Sequence, residues 1–200
     1  HIDGGRPDSG DLSKIMRTHP DISPHRIDQL GCTGCHLGEG MALDLEISHG
    51  LPGLGAREVL SGKEMQASCF RCHIPGPLVG AEQAWKGYQR FYTSACNTCH
   101  KVGRAGTAGL YGPDLSDIGS SLGLGQLLEA IREPRKAPVN SKMPRFPLSK
   151  GQATQISYYL KSLTGTPYYA TPMQLQAGTV KIADVDLVPD DMDLTEDIQL

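Results

Sequence analysis

Six cysteines constrain this chain more than any other feature, because they stand as three pairs of one spacing, Cys32/Cys35, Cys69/Cys72 and Cys96/Cys99, with none left over. A histidine follows each pair at once: Cys32-Thr-Gly-Cys35-His36, Cys69-Phe-Arg-Cys72-His73 and Cys96-Asn-Thr-Cys99-His100. A tetrahedral zinc site closes with four ligands, commonly two such pairs, and has no use for three pairs that each carry an abutting histidine. A thioredoxin-like redox pair needs one motif in a βαβ setting, not three in turn-rich sequence.

The pattern fits covalent haem attachment. Two thiols three positions apart reach the two vinyl groups on one edge of a porphyrin, and the adjacent imidazole binds iron from below. The cofactors expected are therefore three covalently attached haem c, held by Cys32, Cys35, Cys69, Cys72, Cys96 and Cys99, with His36, His73 and His100 as iron ligands. Thioethers keep the group from dissociating and staple a small chain that cannot enclose it completely.

Composition narrows the remaining choices. With 200 residues there is room for one ordinary domain or two small ones. Only 38% of residues are hydrophobic and no window approaches the roughly 20 apolar residues that cross a bilayer, so membrane association would come through a partner or an anchor absent from the sequence. A formal charge of −3, from 19 basic and 22 acidic side chains, gives no reason to expect a nucleic-acid partner. The first residue is His1 rather than Met, which leads us to expect an upstream leader or anchor and hence export.

The motifs divide the chain unevenly. Cys32 to Cys69 is 37 residues and Cys69 to Cys96 is 27, whereas 100 residues follow His100. Residues 1–80 are broken by Gly4, Gly5, Pro7, Pro20, Pro24, Pro52, Gly53, Gly55, Pro75 and Pro77, so long helices are not expected there, and two porphyrins would serve as the packing core. From Ala81 the pattern changes: Ala84, Trp85, Tyr88, Phe91 and Tyr92 fall at helical spacing and lead into the third motif. A glycine-rich loop from Gly103 to Gly112 follows. A short helix over Gly125–Glu133 should then stop at Pro134. A last helix starts at a capping Ser149 and carries a terminal cation, Lys161, before Leu163 and Gly165. Residues 165–200 hold seven acidic side chains and one basic, Lys181, for a balance of −6 against +3 in the rest of the chain. Thr179–Val188 could form one strand; otherwise this acidic tail lies across its own domain, docks on a partner or stays disordered.

On these residues, 81–164 resemble a class I cytochrome c domain: an aromatic first helix, the third attachment site, Gly112-Pro113-Asp114-Leu115, a Met143-Pro144 loop and a last helix with paired aromatics. The resemblance implies that Gly87 and Phe91 or Tyr92 pack against Tyr158 or Tyr159, and that Met143, 43 residues after His100, is the sixth ligand of the third iron. Residues 25–73 are similar to bacterial multihaem c-type cytochromes, which implies bis-histidine ligation. Of His1, His19, His25 and His49, we expect His49 to serve the first haem and His25 the second, with His19 in reserve and Met41 and Met65 as weaker substitutes. Arg57, Arg71, Arg104, Arg132 and Arg145 are candidate partners for haem propionates, since a guanidinium matches a carboxylate bidentately.

The expected fold is mainly α: a loop-rich dihaem segment (1–80), a class I cytochrome c helical domain (81–164) and an extended acidic tail (165–200). The expected role is to relay single electrons between redox protein partners or as a subunit of a respiratory oxidoreductase or bc-type complex, in the periplasm or another extracytoplasmic space. The alternative is a haem enzyme, a peroxidase or small-oxide reductase, which would need one iron with an open sixth position. Three nameable sixth ligands for three irons argue against it.

Overall fold

His19 and residues 21–40, 42–50, 58–103, 111–136 and 141–165 are described by the computed structural model. The chain falls into two units, His1–Met65 and Gln66–Leu200.

The first unit is built from single turns. Helices α1 (Ile27–Leu30), α2 (Thr33–His36) and α3 (Leu45–His49) are four or five residues long, and a 3₁₀ turn covers Gly62–Met65. Asp44 starts α3 by accepting the Ile47 N–H on its carboxylate at 3.1 Å. A return segment ties these turns together: Val59 pairs antiparallel with Leu37, the Leu60 N–H reaches the His36 carbonyl at 2.7 Å, and the Val59 N–H reaches that of His49 at 3.2 Å. Leu60 is the one hydrophobic side chain buried in this unit among the described residues, while Leu30, Leu43, Ile47 and Val59 are exposed. Among its described residues, side-chain packing alone gives this unit little to fold around.

The second unit has an ordinary helical core. Its elements are α4 (Gln66–Cys69), α5 (Glu82–Thr93), a 3₁₀ turn at Cys96–Thr98, α6 (Ile118–Ser121), α7 (Leu124–Arg132) and α8 (Lys150–Ser162). The starts are set by side chains. Ser149 caps α8 reciprocally, its hydroxyl accepting the Gln152 N–H at 3.2 Å while Gln152 Oε1 accepts the Ser149 N–H at 2.8 Å. Gln126 Oε1 likewise takes the Gly123 N–H at 2.9 Å ahead of α7, which ends before Pro134 as its sequence requires.

Helix α8 is the hub, against which α4, α5, α6 and α7 all pack. Where α5 crosses it, Gly87 lies so close that a Cβ would collide with the Gln155 carbonyl oxygen. Around that crossing Phe91 and Tyr159, 1% and 2% exposed, meet edge to face at 5.5 Å, and Tyr88 meets Tyr159 at 5.3 Å. Of the aromatics left open by the sequence, Phe91 and Tyr159 are thus the buried pair. A chain of polar groups reinforces the contact: Arg90 Nε donates to Gln155 Oε1, Gln155 Nε2 to Gln83 Oε1, each at 2.7 Å, and the Gln83 N–H to Gln66 Oε1 at 2.6 Å.

The second unit begins at Gln66, and Phe70, which follows Cys69, is buried in the same core as Phe91 and Ile156. The second motif therefore belongs with the third. Lys161, in the last turn of α8, is fully buried, and its ammonium donates to the carbonyls of Gly119 and Leu122, both at 3.0 Å, closing the C-terminal end of α6. The acidic tail, with its candidate strand Thr179–Val188, and most of the glycine-rich loop lie outside the described residues.

Candidate functional site

All three Cys-x-x-Cys-His segments adopt one local conformation. In each, the carbonyl of the first cysteine accepts the N–H of the second and that of the histidine: Cys32 from Cys35 at 3.3 Å and His36 at 2.9 Å, Cys69 from Cys72 at 3.2 Å and His73 at 3.0 Å, Cys96 from Cys99 at 3.3 Å and His100 at 3.0 Å. A single helical turn places residues i, i+3 and i+4 on one face, so both sulfurs and the imidazole emerge together. None of the six cysteines is in a disulfide.

Two of the histidines are oriented from behind. His36 Nδ1 lies 2.8 Å from the Leu60 carbonyl, and His100 Nδ1 lies 3.0 Å from that of Pro113. A carbonyl can only accept, so each Nδ1 carries the proton and each Nε2 is left with its lone pair, the arrangement found in metal-bound imidazoles.

The carbonyl of Pro113 is held in place by its own loop. The Gly112 N–H donates to Cys99 O at 3.1 Å and the Leu115 N–H to Lys101 O at 2.8 Å, pinning 112–115 along 99–101. Asp114 Oδ1 accepts the Ser116 N–H at 2.8 Å and the Ser116 hydroxyl, and Asp114 Oδ2 lies 3.3 Å from Lys101 Nζ. Those hydrogen bonds from Ser116, with Lys101 beside it, hold the Asp114 carboxyl below its ordinary value. Gly112 is required for space: a Cβ there would stand 2.7 Å from the His100 ring.

Backbone strain sits at the same places. Leu37, directly after His36, and Ala95, directly before Cys96, are the two non-glycine residues with positive φ among those described, at 59° and 57°. Such conformations cost about 1–3 kcal/mol and gather at functional sites.

Burial pushes the Cys96 thiol up to about 11 by stripping hydration from its thiolate, with the neighbouring Cys99 adding to the effect. Among the described residues no group of three or more His, Cys, Asp and Glu side chains is gathered as a metal cage. In the second motif the buried Nε of Arg71 has no hydrogen-bond partner, an orphan donor that a carboxylate would satisfy. The exposed apolar side chains of the first unit, Leu30, Leu43, Ile47 and Val59, suit a flat apolar group in the same way.

The other candidates are distributed as follows. His73 is exposed. Met143 is half-buried in the extended stretch before α8, its N–H donating to Ser141 Oγ at 3.2 Å. His25 is exposed with Nδ1 3.1 Å from the Ile22 carbonyl, and His49 is exposed at the end of α3. The ring that faces His36 is that of His19, half-buried, with ring centres 6.1 Å apart and planes at 78°. Of the arginines, Arg132 is exposed and Arg145 lies 3.4 Å from Glu133, while Arg57 and Arg104 lie outside the described residues. The carbonyl partners of the histidines had different visibility in the sequence. Pro113 belongs to a recognisable Gly-Pro-Asp-Leu string, but Leu60 contributes only its backbone, and a backbone acceptor has no residue-type signal.

The family model described as Cytochrome c matches residues 84–164. No curated protein and no solved structure matches the chain. That segment is a cytochrome c domain, which implies covalently bound haem c and haem-based electron transfer. No helix among the described residues is long and apolar enough to cross a membrane.

Proposed function

We propose that this chain is a trihaem c-type cytochrome that relays single electrons between redox partners. The observation that carries the reading is the shared turn of the three motifs. Cys32–His36 and Cys69–His73 lie outside the matched segment, yet have the same carbonyl receiving the same two N–H groups as Cys96–His100 within it. Each haem, when bound, supplies a one-electron iron couple.

The protein's own residues do the rest. The cysteine pairs anchor, and the histidines, two of them aimed by Leu60 and Pro113, ligate through Nε2. Arg71 offers its orphan donor to a propionate. Met143 provides a soft sixth ligand at the third site, which favours the ferrous state and raises that centre above two bis-histidine centres. With every iron doubly ligated, the chain binds no substrate, and catalysis falls to a partner, as it would for a subunit of a respiratory oxidoreductase or bc-type complex. Attachment of this kind is made outside the cytoplasm, so the location is periplasmic or otherwise extracytoplasmic.

A redox titration followed by low-temperature EPR tests this. The expected outcome is two lower-potential bis-histidine centres and one higher-potential histidine/methionine centre. Replacing Met143 with Ala should abolish the methionine signature alone. A variant with all signals unchanged would remove Met143 from the iron.

A further inference from the structure

We propose that His19 is the second imidazole of the first haem site, opposite His36. The proposal deepens the trihaem reading and rests on it.

The argument is one of distance. Two imidazoles bonded end-on to one metal at about 2 Å, each with its nitrogen about 1.1 Å from the ring centre, have centres about 6.2 Å apart. The His19 and His36 centres are 6.1 Å apart. The observed gap matches the separation that a shared ligand-binding centre would set. The 78° between the planes is compatible with it, since each ring can rotate about its own metal–nitrogen axis.

Three further features agree. His36 presents Nε2, because Nδ1 is engaged with Leu60 O at 2.8 Å. His19 is half-buried, unlike His25 and His49, which are exposed. His25 Nδ1 also sits 3.1 Å from Ile22 O within its own turn, which its backbone N–H closes at 2.8 Å on the same carbonyl. The site lies in the unit whose described residues bury a single hydrophobic side chain, so a ligand reaching from the N-terminal side would fasten that segment through the cofactor.

The test uses the full, haem-loaded chain. A mass map of its peptides first asks whether Cys32–His36 carries haem; a bare peptide there defeats the trihaem reading itself. With that peptide haem-loaded, His19→Ala should bind one equivalent of carbon monoxide per reduced chain that the parent does not bind, and added imidazole should restore the low-spin spectrum. Combining His19→Ala with Cys32→Ser and Cys35→Ser should remove both one haem and that carbon monoxide site. No carbon monoxide binding by His19→Ala, or a site that survives loss of Cys32 and Cys35, overturns the assignment while leaving the trihaem reading standing. Should His19→Ala fail to accumulate, His19→Met serves instead: the midpoint of one centre is expected to rise, and unchanged midpoints would refute the proposal.

Discussion

The two units meet the same requirement, holding a Cys-x-x-Cys-His turn in place, by opposite means. In the second, the turn at Cys96 follows a twelve-residue helix packed on a thirteen-residue one, with Phe91, Ile156 and Tyr159 between them. In the first, the turn at Cys32 is held by backbone: His36 and Leu60 exchange a hydrogen bond in each direction, and Leu60 alone is buried among hydrophobic side chains described there. Full burial of a large apolar side chain is worth about 1.5–3 kcal/mol, so the eight such groups clustered in the second unit's described core outweigh the single one described in the first. The second unit carries its motifs on a protein core, and in the proposed trihaem reading the first would depend on the cofactor to complete one.

The largest difference should come from blocking attachment. Replacing Cys32 and Cys35 with Ser should leave residues 21–65 open to limited proteolysis almost completely, whereas replacing Cys96 and Cys99 should weaken the second unit but leave helical circular dichroism from α5 and α8. Equal collapse of both units would erase the contrast. Next in size is Gly87→Val, which forces a side chain into the Gln155 carbonyl and should cost about 3 kcal/mol or more, several degrees in Tm. That loss should be confined to the second unit, with hydrogen exchange of Val59 and Leu60 amides unchanged.

The smallest effect is one of pH. The Asp114 carboxyl is held low by Ser116, so the stability it adds is present above the ordinary carboxylate value of about 4 and is lost as pH falls through its depressed folded value. Asp114→Asn should therefore melt below the parent at pH 6, with the gap closing between pH 4 and 2. A gap that persists at the acid end would mean the carboxylate charge is not what steadies the Pro113 loop.

What the sequence disclosed follows the same division. The periodicity of Ala84, Trp85, Tyr88 and Phe91, the Ser149 cap and the Pro134 stop place α5, α7 and α8 within a residue of their observed ends, because long amphipathic helices repeat their signal. Four-residue helices do not, so α6 went unforeseen and the core membership of Phe70 was hidden beside Cys69. The burial of Lys161 has no local signal either, since only the carbonyls of Gly119 and Leu122, 42 and 39 residues away, reveal its role. At the sites, anchors and proximal histidines are written in the motifs. The orienting carbonyl of Leu60 and the nearness of His19 are tertiary facts that no local pattern encodes.

The central claim is that each of the three turns holds a covalent porphyrin. A pyridine haemochrome count on the purified, natively matured chain, set beside intact and peptide mass, tests it most directly. The account predicts three haems per chain, one on each of the peptides containing Cys32–His36, Cys69–His73 and Cys96–His100. A single haem, found only on the last of these, would contradict it.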